Sequence, residues 1–379
     1  MLQQDPTKYP VTVDENQLKA RETTNALCKI LAHMVNESSV PAESRRPVST
    51  MAMQSALDKR FNCGQTQEDS AEFLTHILNA VKESMPSVKS WHNPADSMCG
   101  TSAQTYSCNN CKFKSSPADT PFLLWPIPVP SQGVDNNAVL KLSDLFLNSC
   151  VLSERMMGEN KYYCSSCREK HECLKYDTLK TPPGILGLQL KRFIGDADTG
   201  ETTKLMTAID IDNTLSAFCS DETKSTANYS LFSIVMHRGS GYAGHYFTIC
   251  RCSGCAASKC SFNSSRSESE WSVLDDIYVS ERQTLAACMV EAMERHQNAT
   301  PYLVFYTSEE SFSSTTPCQV CSDKGIRIKE LACRVVPPLP LSLQQPAPGN
   351  KSSESTPAAP GPATANQGGG HTTPGAQVD

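Results

Sequence analysis

The sequence predicts an α+β fold, with helices first and strands through most of the remaining chain. Three observations carry this. Apolar residues recur at helical spacing in three stretches before residue 85. Short apolar runs bounded by Gly, Pro and Ser then succeed one another from Phe122 to Tyr306. Beyond Ser308 the chain turns to Pro, Ala, Ser, Thr and Gly, which marks the end of the part able to build a core.

Residues 1–24 begin polar and read as a disordered or remnant N-terminus. From Asn25 an apolar stripe at Leu27, Leu31, Met34 and Val35 predicts a helix, and Pro41 and Pro47 break the chain after it. Met51 to Phe61 is a second, short helical pattern. In the third, Phe73, Leu74, Ile77, Leu78 and Val81 share one face, and Asp69 and Ser70 precede it as capping types. Asp69 and Glu72 also place two acids at the positive end of the helix dipole, so taken alone they read as helix-end residues.

Cys108-Asn109-Asn110-Cys111 and Cys164-Ser165-Ser166-Cys167 are the strongest local signal. Two C-x2-C pairs supply four thiolates, the donor set of a closed tetrahedral Zn2+ site. With no open coordination position, such a site is structural. Phe122 to Val129 reads as a strand and Leu142 to Leu147 as a short amphipathic helix. Leu174 to Leu179 alternates weakly. Ile185 to Phe193, after the Pro182-Pro183-Gly184 turn, reads as a buried strand. Residues 195–203 form a polar hairpin loop, and Leu205 to Leu215 reads as a further strand.

Ser233 to Met236 and Tyr246 to Cys250 read as strands around a loop holding Gly239, Gly241 and Gly244. His245 stands where that loop re-enters the second strand, a position suited to a general base. Trp271 to Asp276 is a short strand ending in two carboxylates, either of which could orient an imidazole. Gly254 to Glu270 is a Ser-rich insertion, and Thr300 to Tyr306 a final aromatic strand.

Composition narrows the classes of function. The 379 residues carry a formal charge of −6, against the basic balance of a nucleic-acid binder. No run of 18 apolar residues predicts a membrane span, and Met1 to Pro10 lacks the pattern of a signal peptide. The 18 cysteines are therefore expected in a reducing space, cytoplasm or nucleus, as metal ligands, reactive thiols or buried apolar groups. Cys250, Cys252, Cys255 and Cys260 are spaced tightly for one tetrahedral site and read as reduced surface thiols; Cys318, Cys321 and Cys333 stay unassigned.

Taken together and in order, these pieces resemble the ubiquitin-specific proteases, papain-like cysteine peptidases that remove ubiquitin. The resemblance covers residues 25–307. Gln67 to Leu74 is similar to a Q-Q-D-A-x-E-F-L box, with Glu68 at its second Gln, and Gly100 matches a glycine ahead of the first knuckle. The two knuckles match a zinc ribbon, and Leu188 to Phe193 matches L-Q-L-K-R-F. Gly239 to Tyr246 matches the histidine box, and Trp271 to Asp276 and Tyr302 to Tyr306 match the two closing strands.

The resemblance implies a hand: a partial helical thumb over residues 25–100, zinc-ribbon β fingers over 101–175, a mostly β palm over 176–307, and a disordered tail over 308–379. It implies His245 as general base, Asp275 as its orienting carboxylate, and Asp276 as an assistant. Asp69 and Glu72 would face the basic tail of ubiquitin. Gly244 and Tyr246 would line the channel that selects a Gly-Gly terminus. The family's nucleophile box, G-N-T-C-Y-x-N, is not found. Upstream of Gln67 stand only Cys28 and Cys63. Were Asn25 a helix cap, Cys28 would lie in a first turn that lowers a thiol pKa, yet no glycine turn precedes it. Leu27 to Val35 is more similar to the helix that comes after the nucleophile box. The chain is accordingly expected to be a deubiquitinase domain lacking its N-terminal part and its nucleophile, or a pseudoenzyme that binds ubiquitin without cleaving it.

Overall fold

The structure, a computed structural model, describes residues 14–38, 44, 46–57, 61, 67–85, 93–131, 138–151, 153–196, 199–218, 226–251 and 271–308. Cys63, the Ser-rich insertion with Cys252, Cys255 and Cys260, and the tail from residue 309 lie outside the described residues.

Three helices come first: α1 (Glu15–Ser38), α2 (Met51–Ala56) and α3 (Ser70–Ser84). α1 begins ten residues before Asn25, so residues 15–24 are helical rather than disordered, and Asn25 lies inside the helix. The reason is visible in its inward face. Ala20, Thr23 and Thr24 are buried there, at i, i+3 and i+4, followed by partly buried Leu27. The two hydroxyls that make this face look polar in sequence are satisfied by tertiary partners. Thr23 Oγ1 donates to the Ala56 carbonyl at 3.0 Å, and Thr24 Oγ1 lies 2.8 Å from Ser84 Oγ. The expected stripe is displaced to match: Leu31 and Met34 are exposed.

The core is an eight-stranded sheet. Its strands are β1 (Leu124–Pro128), β2 (Ile185–Lys191), β3 (Thr214–Phe218), β4 (Thr226–Gly239), β5 (Gly244–Arg251), β6 (Trp271–Asp275), β7 (Tyr278–Val279) and β8 (Thr300–Ser308). The order is β7-β6-β5-β4-β8-β2-β1, with β3 on the early part of β4; β1 and β2 are parallel and the other pairs antiparallel. Alternation on β8 sends its side chains into two cores. Leu303 and Phe305 pack with Ala71 and Leu74 of α3, while Val304 and Tyr306 join the larger core. That larger core includes Leu142, Leu145 and Phe146 of α4 (Leu142–Val151), and Cys288 and Ala292 of α5 (Leu285–Arg295).

The single strand expected over Leu205 to Leu215 is instead broken, with Ala208–Asp210 and β3 as separate pieces. Arg192 explains the break. Its guanidinium is buried and donates from Nη1 to the carbonyls of Leu205 (3.0 Å) and Thr207 (2.9 Å), and from Nε to that of Pro301 (2.7 Å). Carbonyls taken by a cation are withdrawn from ladder pairing.

A second, five-stranded sheet carries the first knuckle, and a separate two-stranded hairpin, Tyr162–Cys164 with Glu169–His171, carries the second. Gly100–Cys108 and Cys173–Thr181 pair along their length, with Lys114–Ser115, Thr120–Phe122 and Ser153–Met156 beside them. Among the described residues, no helix is long and apolar enough to cross a membrane.

Candidate functional site

His245 is the second residue of β5, opposite Arg238 in the tight β4–β5 hairpin. Gly244, directly before it, has no room for a side chain: a Cβ there would lie 2.0 Å from His237 Nε2 and 2.4 Å from the Arg238 carbonyl. The turn is therefore fixed by glycine. Asp275 ends the neighbouring β6 and is 7% exposed. His245 Nε2 lies 2.6 Å from Asp275 Oδ1. An ionised carboxylate only accepts, so Nε2 carries the hydrogen and Nδ1 keeps the basic lone pair. Burial pushes the Asp275 carboxyl up, but hydrogen bonds from His245 and His296, reinforced by their charge, outweigh it and hold the carboxyl below its ordinary value.

Asp276 is not part of this contact. It is exposed, at φ 52°, in the turn between β6 and β7, so the strand has ended and its carboxylate is not bonded to His245. The second partner of Asp275 is one that no sequence motif marks. His296, the residue after α5, places Nε2 2.7 Å from Asp275 Oδ2, and Arg295 Nη2 lies 3.6 Å from the same oxygen. α5 was not read from the sequence, although its signals stand there. Thr284 caps it by accepting from the Ala287 amide, and Leu285, Cys288, Met289 and Ala292 recur at helical spacing.

Asp69 does more than cap a helix. Oδ1 accepts from the Ala71 and Glu72 amides at 2.8 and 3.0 Å, capping α3, and Oδ2 accepts from the Tyr302 hydroxyl on β8. Tyr302 OH in turn accepts from Gln189 Nε2 at 2.8 Å. Asp69 and Glu72 also line a cavity of about 650 Å³ with Lys82, Leu124, Gln189 and Lys191. Gln67 Oε1 accepts from the Gly244 amide at 2.5 Å, tying the start of α3 to the histidine hairpin. Tyr246 stands against the same corner, its ring 4.8 Å from that of His237 and 5.9 Å from that of Tyr302, and burial pushes its hydroxyl pKa up. Asp69→Ala is expected to lose the cap, about 1 kcal/mol, and to strip the Tyr302 hydroxyl of its acceptor, another ~1 kcal/mol or more. A denaturant midpoint lowered with unchanged m-value checks this.

Cys108, Cys111, Cys164 and Cys167 converge: their sulfurs all lie within 4.8 Å of one another, with Cys111 and Cys164 at 3.6 Å. Four sulfurs around one zinc at about 2.3 Å stand roughly 3.8 Å apart, so the set fits that ion. The two knuckles are built alike. Lys112 N donates to the Cys108 carbonyl (2.9 Å) and Arg168 N to that of Cys164 (2.7 Å), and both residues are left-handed, at φ 59° and 62°. The Phe113 amide first, and then the neighbouring thiols, lower the Cys111 pKa to about 6, favouring the thiolate that a metal takes, while the other thiols of the cluster raise that of Cys167. A fifth thiol, Cys173, packs beside Cys108 and Cys164, but burial raises its pKa and it is outside the four-sulfur set.

Cys28 does not occupy a first turn. It lies thirteen residues into α1, and burial raises its thiol pKa, the opposite of an activated nucleophile. Among the described residues, no thiol is hydrogen-bonded to His245.

The sequence profile of the family described as ubiquitin carboxyl-terminal hydrolase matches residues 3–306. The chain belongs to the ubiquitin carboxyl-terminal hydrolase family. It is 32% identical over 199 residues to ubiquitin carboxyl-terminal hydrolase 9 of Saccharomyces cerevisiae, covering 49% of this chain and 26% of that protein. It is 23% identical over 327 residues to probable ubiquitin carboxyl-terminal hydrolase 16 of Schizosaccharomyces pombe, covering 83% of this chain and 64% of that one. The chain thus spans less than two thirds of either hydrolase. Among solved structures, the SAGA Ubp8/Sgf11/Sus1/Sgf73 DUB module bound to ubiquitin aldehyde aligns with a TM-score of 0.56 and 22% identity, over 76% of this chain and 60% of that one. The likeness extends to the fold: this is the mixed α+β fold of the hydrolase family.

Proposed function

We propose that the chain holds the C-terminal tail of ubiquitin and carries the acid–base half of a cysteine deubiquitinase site. The observation that carries this reading is the His245–Asp275 contact at 2.6 Å, beside a hairpin where glycine alone fits. A carboxylate-oriented imidazole with a free Nδ1 is what a thiol nucleophile needs. It takes the thiol proton, the thiolate attacks the carbonyl carbon of the last Gly, the C–N bond breaks as the proton passes to the leaving amine, and water then hydrolyses the thioester to free the thiol. Asp69, Glu72, Gly244 and Tyr246 are the residues proposed to receive the tail, the acids facing its basic side chains and the glycine clearing the path of its backbone. Zinc, held by the four knuckle cysteines, would fix the fingers and take no part in the chemistry.

Among the described residues no thiol is bonded to His245, and Cys28 lies in the middle of a helix with its pKa raised; on this reading the chain binds ubiquitin without cleaving it. Ubiquitin bearing a C-terminal electrophile tests both halves. The expected result is saturable binding, weakened by Asp69→Ala, with no covalent adduct by mass spectrometry. An adduct at a cysteine would show a competent nucleophile and restore hydrolysis as the function. No binding at all would overturn the ubiquitin reading.

A further inference from the structure

We propose that His296 is a positioning residue of the His245 site, fixing the Asp275 carboxylate through which His245 is oriented. The proposal rests on the reading of His245 as a general base. The geometry behind it is independent of ubiquitin.

Asp275 has two oxygens, and each is bound to a different imidazole: Oδ1 to His245 at 2.6 Å, Oδ2 to His296 at 2.7 Å. The torsion that swings a carboxylate is broad and soft, so one hydrogen bond leaves it free to rotate, while donors on both oxygens pin it. Asp275 is 7% exposed, and water cannot stand in for the second donor. Arg295 is a poor substitute at 3.6 Å, and its guanidinium lies over the Tyr278 ring, 3.6 Å from the centroid.

His296 is itself held in place. Its amide donates to the Ala292 carbonyl at the end of α5, and its ring lies 4.5 Å from that of Phe247, two residues beyond His245 on the same face of β5. His296 Nδ1 is buried with no hydrogen-bond partner. Asp275 is therefore what sets the ring's orientation and keeps its hydrogen on Nε2. The same three side chains could also surround a cation. Ligand atoms about 2.1 Å from a shared ion stand roughly 3.4 Å apart, however, and separations of 2.6 and 2.7 Å are those of hydrogen bonds.

Nitrogen-15 NMR of the imidazole rings in the full chain tests this without substrate. In the wild type His245 is expected in a single Nε2–H tautomer, with a slowly exchanging low-field proton. His296→Phe keeps the ring against Phe247 and removes the donor. The tautomers of His245 should then mix, and its proton should exchange at least about tenfold faster, the order of one lost hydrogen bond. His296→Gln, whose amide can donate to Oδ2, should restore the wild-type spectrum. Should His296→Phe unfold the chain, His296→Leu gives the same comparison with a smaller side chain. An unchanged His245 tautomer and exchange rate in a folded donorless variant, or failure of His296→Gln to rescue, overturns the proposal. A chain that fails to bind ubiquitin yet shows these spectra loses the functional reading and keeps this one.

Discussion

Removing the zinc proposed for the Cys108, Cys111, Cys164 and Cys167 cluster is expected to unfold the ribbon and leave the eight-stranded sheet folded. The ribbon has too little core of its own. The knuckle end of the five-stranded sheet has a small apolar cluster: Cys108, Cys164 and Cys173, with Met156, Tyr162 and Cys167 against them. The two long strands are half-exposed along most of their length. A cluster of that size does not offset the conformational entropy of ordering the hairpins around it. A structural zinc contributes on the order of 10 kcal/mol of folding free energy, as much as the whole net stability of a typical domain. At the other end, Leu179 is part of the large core and stays anchored. Metal analysis should find one zinc per chain. Hydrogen exchange after chelation should rise across residues 102–108 and 173–178 and stay slow at Ile234 and Val304. Cys164→Ser should reproduce the chelated state, whereas Cys173→Ser, which changes a protonated packing thiol, should keep its metal. Slow exchange throughout the ribbon in metal-free protein would show that the strands hold themselves.

What the sequence revealed and what it hid divides along physical lines. Strands of the large sheet were legible because burial on both faces demands near-continuous apolar runs, as in Ile185 to Leu190, interrupted only by Gly187 and Gln189, and Tyr302 to Tyr306. The four-cysteine cluster was legible because its thiols come in local pairs. The start of α1 was hidden, because Thr23 and Thr24 look like surface residues until Ala56 and Ser84 are known to lie against them. The break after Leu205 was hidden in the same way, in the reach of one buried guanidinium from Arg192. His296 is the most instructive case. It meets Asp275 across 21 positions of chain, and only the return of α5 to β5 and β6 makes the contact. No spacing rule encodes a meeting that depends on where a helix lands, although the helix itself carried ordinary signals. Asp276 shows the converse: adjacency to Asp275 made it a candidate to orient the imidazole, and the end of the strand puts it in the turn, outside that contact.

His237 is expected to make the fold sensitive to acid. Its side chain is buried on β4, against the rings of Phe193, Tyr246 and Tyr302, with Nδ1 unpartnered. Its pKa is lowered to about 4, chiefly by burial; Lys204, whose Nζ donates to the His237 carbonyl at 2.8 Å, and His245 add to the lowering, while Asp69 works the other way. The folded pKa thus lies below the 6.5 of the unfolded chain. Between pH 6.5 and 4 the unfolded chain binds the proton and the folded one does not, so stability falls as pH falls through that window. The slope is about 1.4 kcal/mol per pH unit, on the order of 3 kcal/mol in all. Carboxylates titrate in the lower part of the same range, so the decisive quantity is a difference. Denaturant midpoints of wild type and His237→Phe should diverge on acidification, the wild type losing more. The substitution keeps an aromatic ring in place, and its effect on packing against Gly244 shifts both ends of the curve without changing its slope. Parallel curves from about pH 7 to about 4.5, the range over which the linkage acts, would mean that His237 takes up its proton in the folded chain after all.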